Sequence, residues 1–144
     1  MTPTTLLPVL SVDLIERARR SSDEMAARTN EELESMLTRY RMFLKLATDH
    51  PDMPLAPTKD IDDMWHLHML SPVAYQADCQ ALFGCILDHD GGFGATPEEE
   101  PELKAQFERT AQLFESTFGL PYVGTLGRCK GACSHRCHTK CKAN

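Results

Sequence analysis

The chain has 144 residues, about one domain in length, and at 42% hydrophobic and 25% charged residues its composition is that of an ordinary globular protein. That excludes collagen-like and wholly disordered classes, and no apolar run approaches the roughly 20 residues needed to span a bilayer. The net charge of −6 is uneven: Arg128 to Asn144 holds five basic residues and no acid, which leaves the 127 residues before it with ten basic and 21 acidic groups, a balance of −11. An acidic body disfavours nucleic acid as a partner, and nothing in the chain points to a membrane. Met1 to Leu14 lack the basic start, apolar stretch and small-residue cleavage site of a signal peptide, so the cytoplasm is the expected location. Thiols stay reduced there, and clustered cysteines point to metal or redox chemistry before disulfides.

Residues 1–10 read as an irregular lead. Ser11 is placed to cap a helix over residues 12–27, with Leu14, Ile15, Ala18 and Met25 on one face. Thr29 and Glu32 have capping-box spacing, and the helix they open runs to Asp49 with Leu33, Met36, Leu37, Tyr40, Phe43, Leu44 and Ala47 at intervals of three and four. His50–Pro57 holds three prolines and reads as a link. A short helix follows from Thr58 or Asp60 to Leu70. Ser71 and Pro72 suit the cap and first position of the next, over residues 72–83, which ends near Gly84. Asp88–Ala95 is a Gly-rich loop. Thr96 and Glu99 then introduce a last helix to Phe118, with Leu103, Phe107, Thr110, Phe114 and Phe118 as its stripe and Gly119 and Pro121 as its stop. No segment alternates convincingly as a strand. The expected fold is all-α: a compact bundle of about five helices over residues 1–127, followed by a flexible, basic, Cys/His-rich tail over residues 128–144.

Residues 58–94 hold three of the six histidines, two of the six cysteines and the only tryptophan. His66 and His68 are two apart, which on a helix turns their rings about 200° from each other. His68 falls on the inward face with Ile61, Met64 and Trp65, whereas His66 falls over Asp62 one turn earlier. This spacing is not the i, i+4 clamp of a helical metalloprotease motif. Either the helix bends near its end so that both serve one site, or one histidine is a ligand and the other structural. Asp62 is placed to accept an imidazole N–H from His66 and fix its tautomer. On the following helix Tyr75, Cys79, Leu82 and Ile86 share a face, with Asp78 beside it. His89 sits in the loop beyond. Neutral imidazole and thiolate are good donors for zinc, iron or copper, so His68, Cys79 and His89 are candidate ligands, with Asp62, Tyr75 and Asp78 as their supports.

The run PTKDIDDMWHLHMLSPVAYQADCQALFG, with the LDH of LDHDGGFG after it, resembles the glycine-rich domain-containing-protein-like family. The resemblance rests on Ile61, Asp62, Trp65, His66, His68, Tyr75, Asp78, Cys79, Gly84, His89, Phe93 and Gly94, and covers residues 30–95, including RYRMFLKLATDHP upstream. It adds His66 to the candidate ligands. It brings no settled reaction. It implies relatives of two kinds, plant proteins with further domains and short bacterial proteins, and the length fits the second. The HDGG loop departs from the family pattern.

In the tail, Cys129, Cys133, Cys137 and Cys141 recur every fourth residue, with His135 and His138 between them. On a helix such thiols share a face and suit a soft metal, although the spacing is not that of a zinc finger. Two further readings stand beside this one: a tail whose cysteines are substrates for a modifying enzyme, and a disordered tail that acquires disulfides after lysis. Neighbouring Lys and Arg favour thiolate in the first two alike. For the whole chain the leading expectation is a metal-binding protein with a His/Cys site in the body and a thiolate-rich tail for soft metal, with a metal-transfer protein as partner. The alternatives are a zinc or non-haem iron enzyme built on the same body site, and an interaction module in which W-H-x-H is a folding core, or a carrier of a cysteine tail that a cysteine-modifying enzyme acts on.

Overall fold

The structure, a computed structural model, describes residues 6–89 and 95–123 and the backbone of the strand Thr139–Lys142. In chain order its elements are α1 (Leu14–Arg19), α2 (Asp23–Ala26), α3 (Asn30–Asp49), α4 (Lys59–Met69), α5 (Pro72–Phe83), β1 (Ile86–His89), α6 (Glu100–Phe118) and β2 (Thr139–Lys142). The fold is all-α, with the two short strands as its one sheet among the described residues. No helix among them is long and apolar enough to cross a membrane.

The helix expected over residues 12–27 is two. Asp13, not Ser11, caps α1: its carboxylate accepts the N–H groups of Ile15 and Glu16, both at 3.1 Å. Ser21 Oγ donates to the Ala18 carbonyl at 2.8 Å, and extended Ser22 caps α2 by accepting from Met25 N. Two serines that satisfy backbone groups locally outcompete continuation of the helix. Arg19 then bridges the break by donating to the carbonyls of Ala26 and Arg28 and to the Asn30 side chain.

α3 is the spine. Its capping box forms as the spacing predicts, with Glu32 N to Thr29 Oγ1 at 3.1 Å and Thr29 N to Glu32 Oε1 at 3.2 Å. Leu33, Met36, Tyr40, Phe43, Leu44 and Ala47 are buried, joined by Leu46, while Leu37 lies half-buried at the edge. α3 packs along α4, whose Ile61, Met64 and Trp65 are fully buried. The left-handed Gly84, at φ 70°, ends α5 and turns the chain into β1, and Gly119, at φ 71°, ends α6. A residue other than Gly at either place would carry strain, since L side chains disfavour that region.

The far end of α6 is held by one cation. Arg39 donates from Nε to Asp60 Oδ2 at 2.6 Å, from Nη2 to Thr58 Oγ1 at 3.2 Å and to the Tyr122 carbonyl, and from Nη1 to the Pro121 carbonyl at 3.3 Å. Its guanidinium also lies over the rings of Phe114 and Tyr122, at 5.4 and 5.7 Å. The planar fork satisfies the Asp60 carboxylate and Thr58 hydroxyl at the start of α4 together with two carbonyls beyond α6, which an ammonium could not do.

β1 and β2 pair antiparallel, with Ile86 opposite Lys142, Leu87 opposite Cys141, Asp88 opposite Lys140 and His89 opposite Thr139. The sequence shows neither strand beforehand. Ile86, expected to continue the apolar face of α5, is instead the start of β1, because Gly84 has already broken the helix. Of the two body cysteines, Cys79 is free and Cys85 is disulfide-bonded.

Replacing Arg39 by Leu strands Asp60, which is fully buried, without its cation. The expected loss is about 3–5 kcal/mol, read as a lowered urea midpoint, with Arg39→Lys recovering only part of it.

Candidate metal centre

His66 and His68 leave α4 on opposite sides, as their spacing requires, and each meets different partners. His68 is 1% exposed. Its Nδ1 lies 2.7 Å from Tyr40 Oη on α3 and its Nε2 lies 2.8 Å from Asp78 Oδ2 on α5. Burial pushes the His68 imidazole below its ordinary pKa, against the pull of Asp78. Burial pushes the Asp78 carboxyl up, but hydrogen bonds from Ser11 and His68 together outweigh it and hold the carboxyl below its ordinary value. An ionised carboxylate only accepts, so we assign the proton of neutral His68 to Nε2, and Tyr40 donates its hydroxyl hydrogen to Nδ1. The carboxylate is completed by Ser11, whose N–H reaches Oδ2 at 3.0 Å and whose hydroxyl donates to Oδ1. Both ring nitrogens of His68 are thus engaged within the protein.

A second brace runs alongside. Trp65 Nε1 donates to Tyr75 Oη at 2.9 Å, and Tyr75 donates to the Leu87 carbonyl in β1. Burial pushes the Tyr75 phenol far above its usual range, so it remains a donor. Cys79 is 2% exposed, and burial raises its thiol as well. A buried thiol of raised pKa is poorly suited to serve as a thiolate ligand.

The brace aims β1 at the other face of α4. Asp62 and His66 stand one turn apart there, with Asp62 Oδ1 3.6 Å from His66 Nε2. His89, at the end of β1, brings its Nε2 to 2.6 Å from the same Asp62 oxygen. The His89 ring lies between two others, with centroids 4.4 Å from Trp65 and 4.6 Å from His66. Asp62 is fully buried, the His89 side chain is 8% exposed and that of His66 is 46% exposed. One ligand atom from each of the three residues lies within 4.8 Å of the others. A tetrahedral ion with ligands at 2.0–2.1 Å sets them roughly 3.3 Å apart, so the Asp62–His66 separation is already of that order. Two imidazole nitrogens and a carboxylate oxygen form a donor set suited to zinc or ferrous iron, and the negative end of the α4 dipole beside His66 favours a cation.

The structure therefore brings His66 and His89 together, with Asp62 as a third possible ligand. His68 and Cys79 lie on the opposite side of α4, with Tyr75 and Asp78. Asp62 was read from the sequence as a support for His66. The i, i+4 relation that suggested this also fits two ligands on one helix face. Cys129, Cys133, Cys137, His135 and His138 lie outside the described residues, and of Cys141 only the backbone is described.

The molecule is thus a helical bundle carrying a two-histidine, one-carboxylate cluster between a helix and a short strand. Residues 10–78 match the family model described as Glycine-rich domain-containing protein-like, a span that includes Asp62 and His66 and stops short of His89. The chain is 34% identical over 104 residues to glycine-rich domain-containing protein 1 of Arabidopsis thaliana, and 31% identical over 102 residues to glycine-rich domain-containing protein 2 of the same plant. These alignments cover 68% and 67% of this chain and 13% of each plant protein. The chain belongs to the glycine-rich domain-containing-protein-like family. No solved structure matches it.

Tyr75→Phe keeps the ring but removes the hydroxyl shared by Trp65 and Leu87. We expect about 1–3 kcal/mol lower stability in urea melts, with exchange of the β1 amides accelerated more than that of α3.

Proposed function

We propose that this domain binds one transition-metal ion, zinc or ferrous iron, through Asp62, His66 and His89. The observation that carries the reading is the convergence of those three ligand atoms at the end of β1. Donor chemistry supports it. A buried carboxylate facing two imidazoles calls for a positive charge, and an ion supplies one without protonating either ring. Three protein ligands leave a coordination position open, and half-exposed His66 puts that position within reach of solvent. A metal-bound water there would be activated for hydrolysis, which is the basis for an enzymatic reading of the same site. Asp62 and His66 would hold the ion from one helix face, and His89 would close the set. For the tail cysteines, we infer a soft-metal or modification role from their spacing alone.

Metal analysis of the purified chain, followed by zinc titration of the stripped protein, tests the reading. The expected result is one ion per chain in the body. His66→Ala and His89→Ala should each lower its affinity by at least about tenfold, the scale of a lost support or more. His68→Ala should leave the stoichiometry intact and lower thermal stability instead, because it empties the buried Tyr40–Asp78 bridge. A chain that purifies without metal and takes up neither zinc nor iron overturns the proposal.

Binding should also weaken as pH falls, because protons compete with the ion for both imidazole nitrogens. Two ligating histidines predict a release of protons on binding that grows as pH falls. Isothermal titration in buffers of different ionisation enthalpy reads it directly.

A further inference from the structure

Two of the most exposed apolar side chains of the body share one cleft. Leu70, 78% exposed, closes α4, and Val73, 84% exposed, stands in the first turn of α5. Pro72 between them keeps Ser71 out of helical geometry, at φ −110° and ψ 73°, so the chain turns sharply and leaves both side chains in solvent. With Val12, Pro72 and Ala77 they line a cleft of about 490 Å³ between the lead before α1 and the start of α5, within the size range of ligand clefts. The wall at Ser11 is fixed, because its N–H and hydroxyl are both bonded to Asp78. Single exposed apolar residues are ordinary on a surface, but several around one cleft point to an interaction site. Arg17 of α1 is the one charged residue that lines it among the described residues. Arg19, Arg20, Arg28, Arg39, Arg41 and Arg109 each donate to a carboxylate or a carbonyl. The exposed Arg17 guanidinium has no such acceptor among the described residues.

We propose that this cleft docks the carboxyl-terminal end of a partner polypeptide whose last residue is apolar. The charge of the occupant follows from Arg17, whose planar fork matches a carboxylate. A phosphate dianion calls for a cluster of cations, and this cleft offers one. The apolar part follows from the walls. They begin directly beside Arg17, so charge and apolar side chain must sit next to each other in the occupant. The last residue of a chain meets that condition by itself, with its α-carboxylate beside its own side chain, whereas an internal Asp or Glu spends its side chain on the charge. The shallowness of the cleft favours a peptide over a fatty acid. With Leu70 and Val73 this exposed, an acyl chain would stay largely wet, while a peptide lies across the walls and covers both side chains. The wall bonded to Asp78 is in place before the partner arrives, which lowers the ordering cost of binding.

The test uses the full chain, immobilised, and two pools of random hexapeptides, one with free carboxyl termini and one with amidated termini. The expected result is enrichment of Leu, Ile, Val or Phe at the last position of the free-acid pool and none in the amide pool. An enriched peptide, remade with an amino-terminal fluorescein, is then titrated by anisotropy. Arg17→Gln and Val73→Asp should each weaken its binding by about tenfold or more, the scale of a charge-assisted hydrogen bond, at unchanged helicity. Arg17→Lys should restore part of the loss. No enrichment in either pool overturns the proposal, as does equal binding of the acid and amide forms of the enriched peptide. Selection of an internal Asp or Glu over the free terminus also overturns it. So do displacement of the peptide by decanoate at matching affinity, which would make the cleft a fatty-acid site, and self-association of the chain that Val73→Asp abolishes, which would make it an interface between copies.

Discussion

Four parts of the chain meet at one imidazole. Tyr40 comes from the middle of α3, His68 from the end of α4, Asp78 from α5, and Ser11 from the irregular lead before α1. Tyr40, His68 and Asp78 place their polar groups where the fold buries them, so each must find its partner there or carry the cost of desolvation, while Ser11 reaches Asp78 from the exposed side. That requirement fixes the rotation of α4 about its axis. With His68 turned inward, helical geometry turns Asp62 and His66 to the other side, where β1 arrives. The same residues that close the core therefore decide which side chains remain for chemistry.

The Arg39 clamp does for the other end of the bundle what His68 does for the middle. It gathers Asp60, Thr58 and the carbonyls of Pro121 and Tyr122 around one permanent charge. In both assemblies the buried polar groups are turned to partners within the protein. The Asp62 cluster differs in having a half-exposed member and a member on a strand, and both features suit a site that exchanges something with its surroundings.

Much of this was legible in the residues. The stripe and capping box of α3 specify that helix completely, because local propensity, cap and burial agree. The opposed directions of His66 and His68 follow from 3.6 residues per turn alone. What waits for each ring does not follow, since Tyr40 and Asp78 reach His68 only through packing between helices. The same limit kept Asp62 in a supporting role: it lies in the sequence beside His66 but in space beside His89 as well. The strand β1 was illegible for another reason. Four residues are too few to display alternation, and its partner lies far along the chain, so Gly84 marks the end of α5 but nothing local shows that a strand begins at Ile86. The break between α1 and α2 was there to be read in Ser21 and Ser22, which cap and close helices better than they continue them.

The proline-rich link between α3 and α4 has a consequence for how the domain can be cut and enlarged. By composition, His50–Pro57 is a loop of the sort that tolerates nicks and insertions. Yet Leu55 and Ala56 are fully buried, Ala56 N–H is bonded to Thr110 Oγ1 at 3.0 Å, and the Ala56 carbonyl accepts the Tyr122 hydroxyl at 2.6 Å. A protease needs some extended residues free of the fold, and those near Ala56 are woven into α6. The exposed start of the link, at Pro51 and Asp52, is the part open to cleavage. Extra sequence grafted into relatives of this domain should accumulate there, a few residues ahead of the buried segment, and scarcely ever within it.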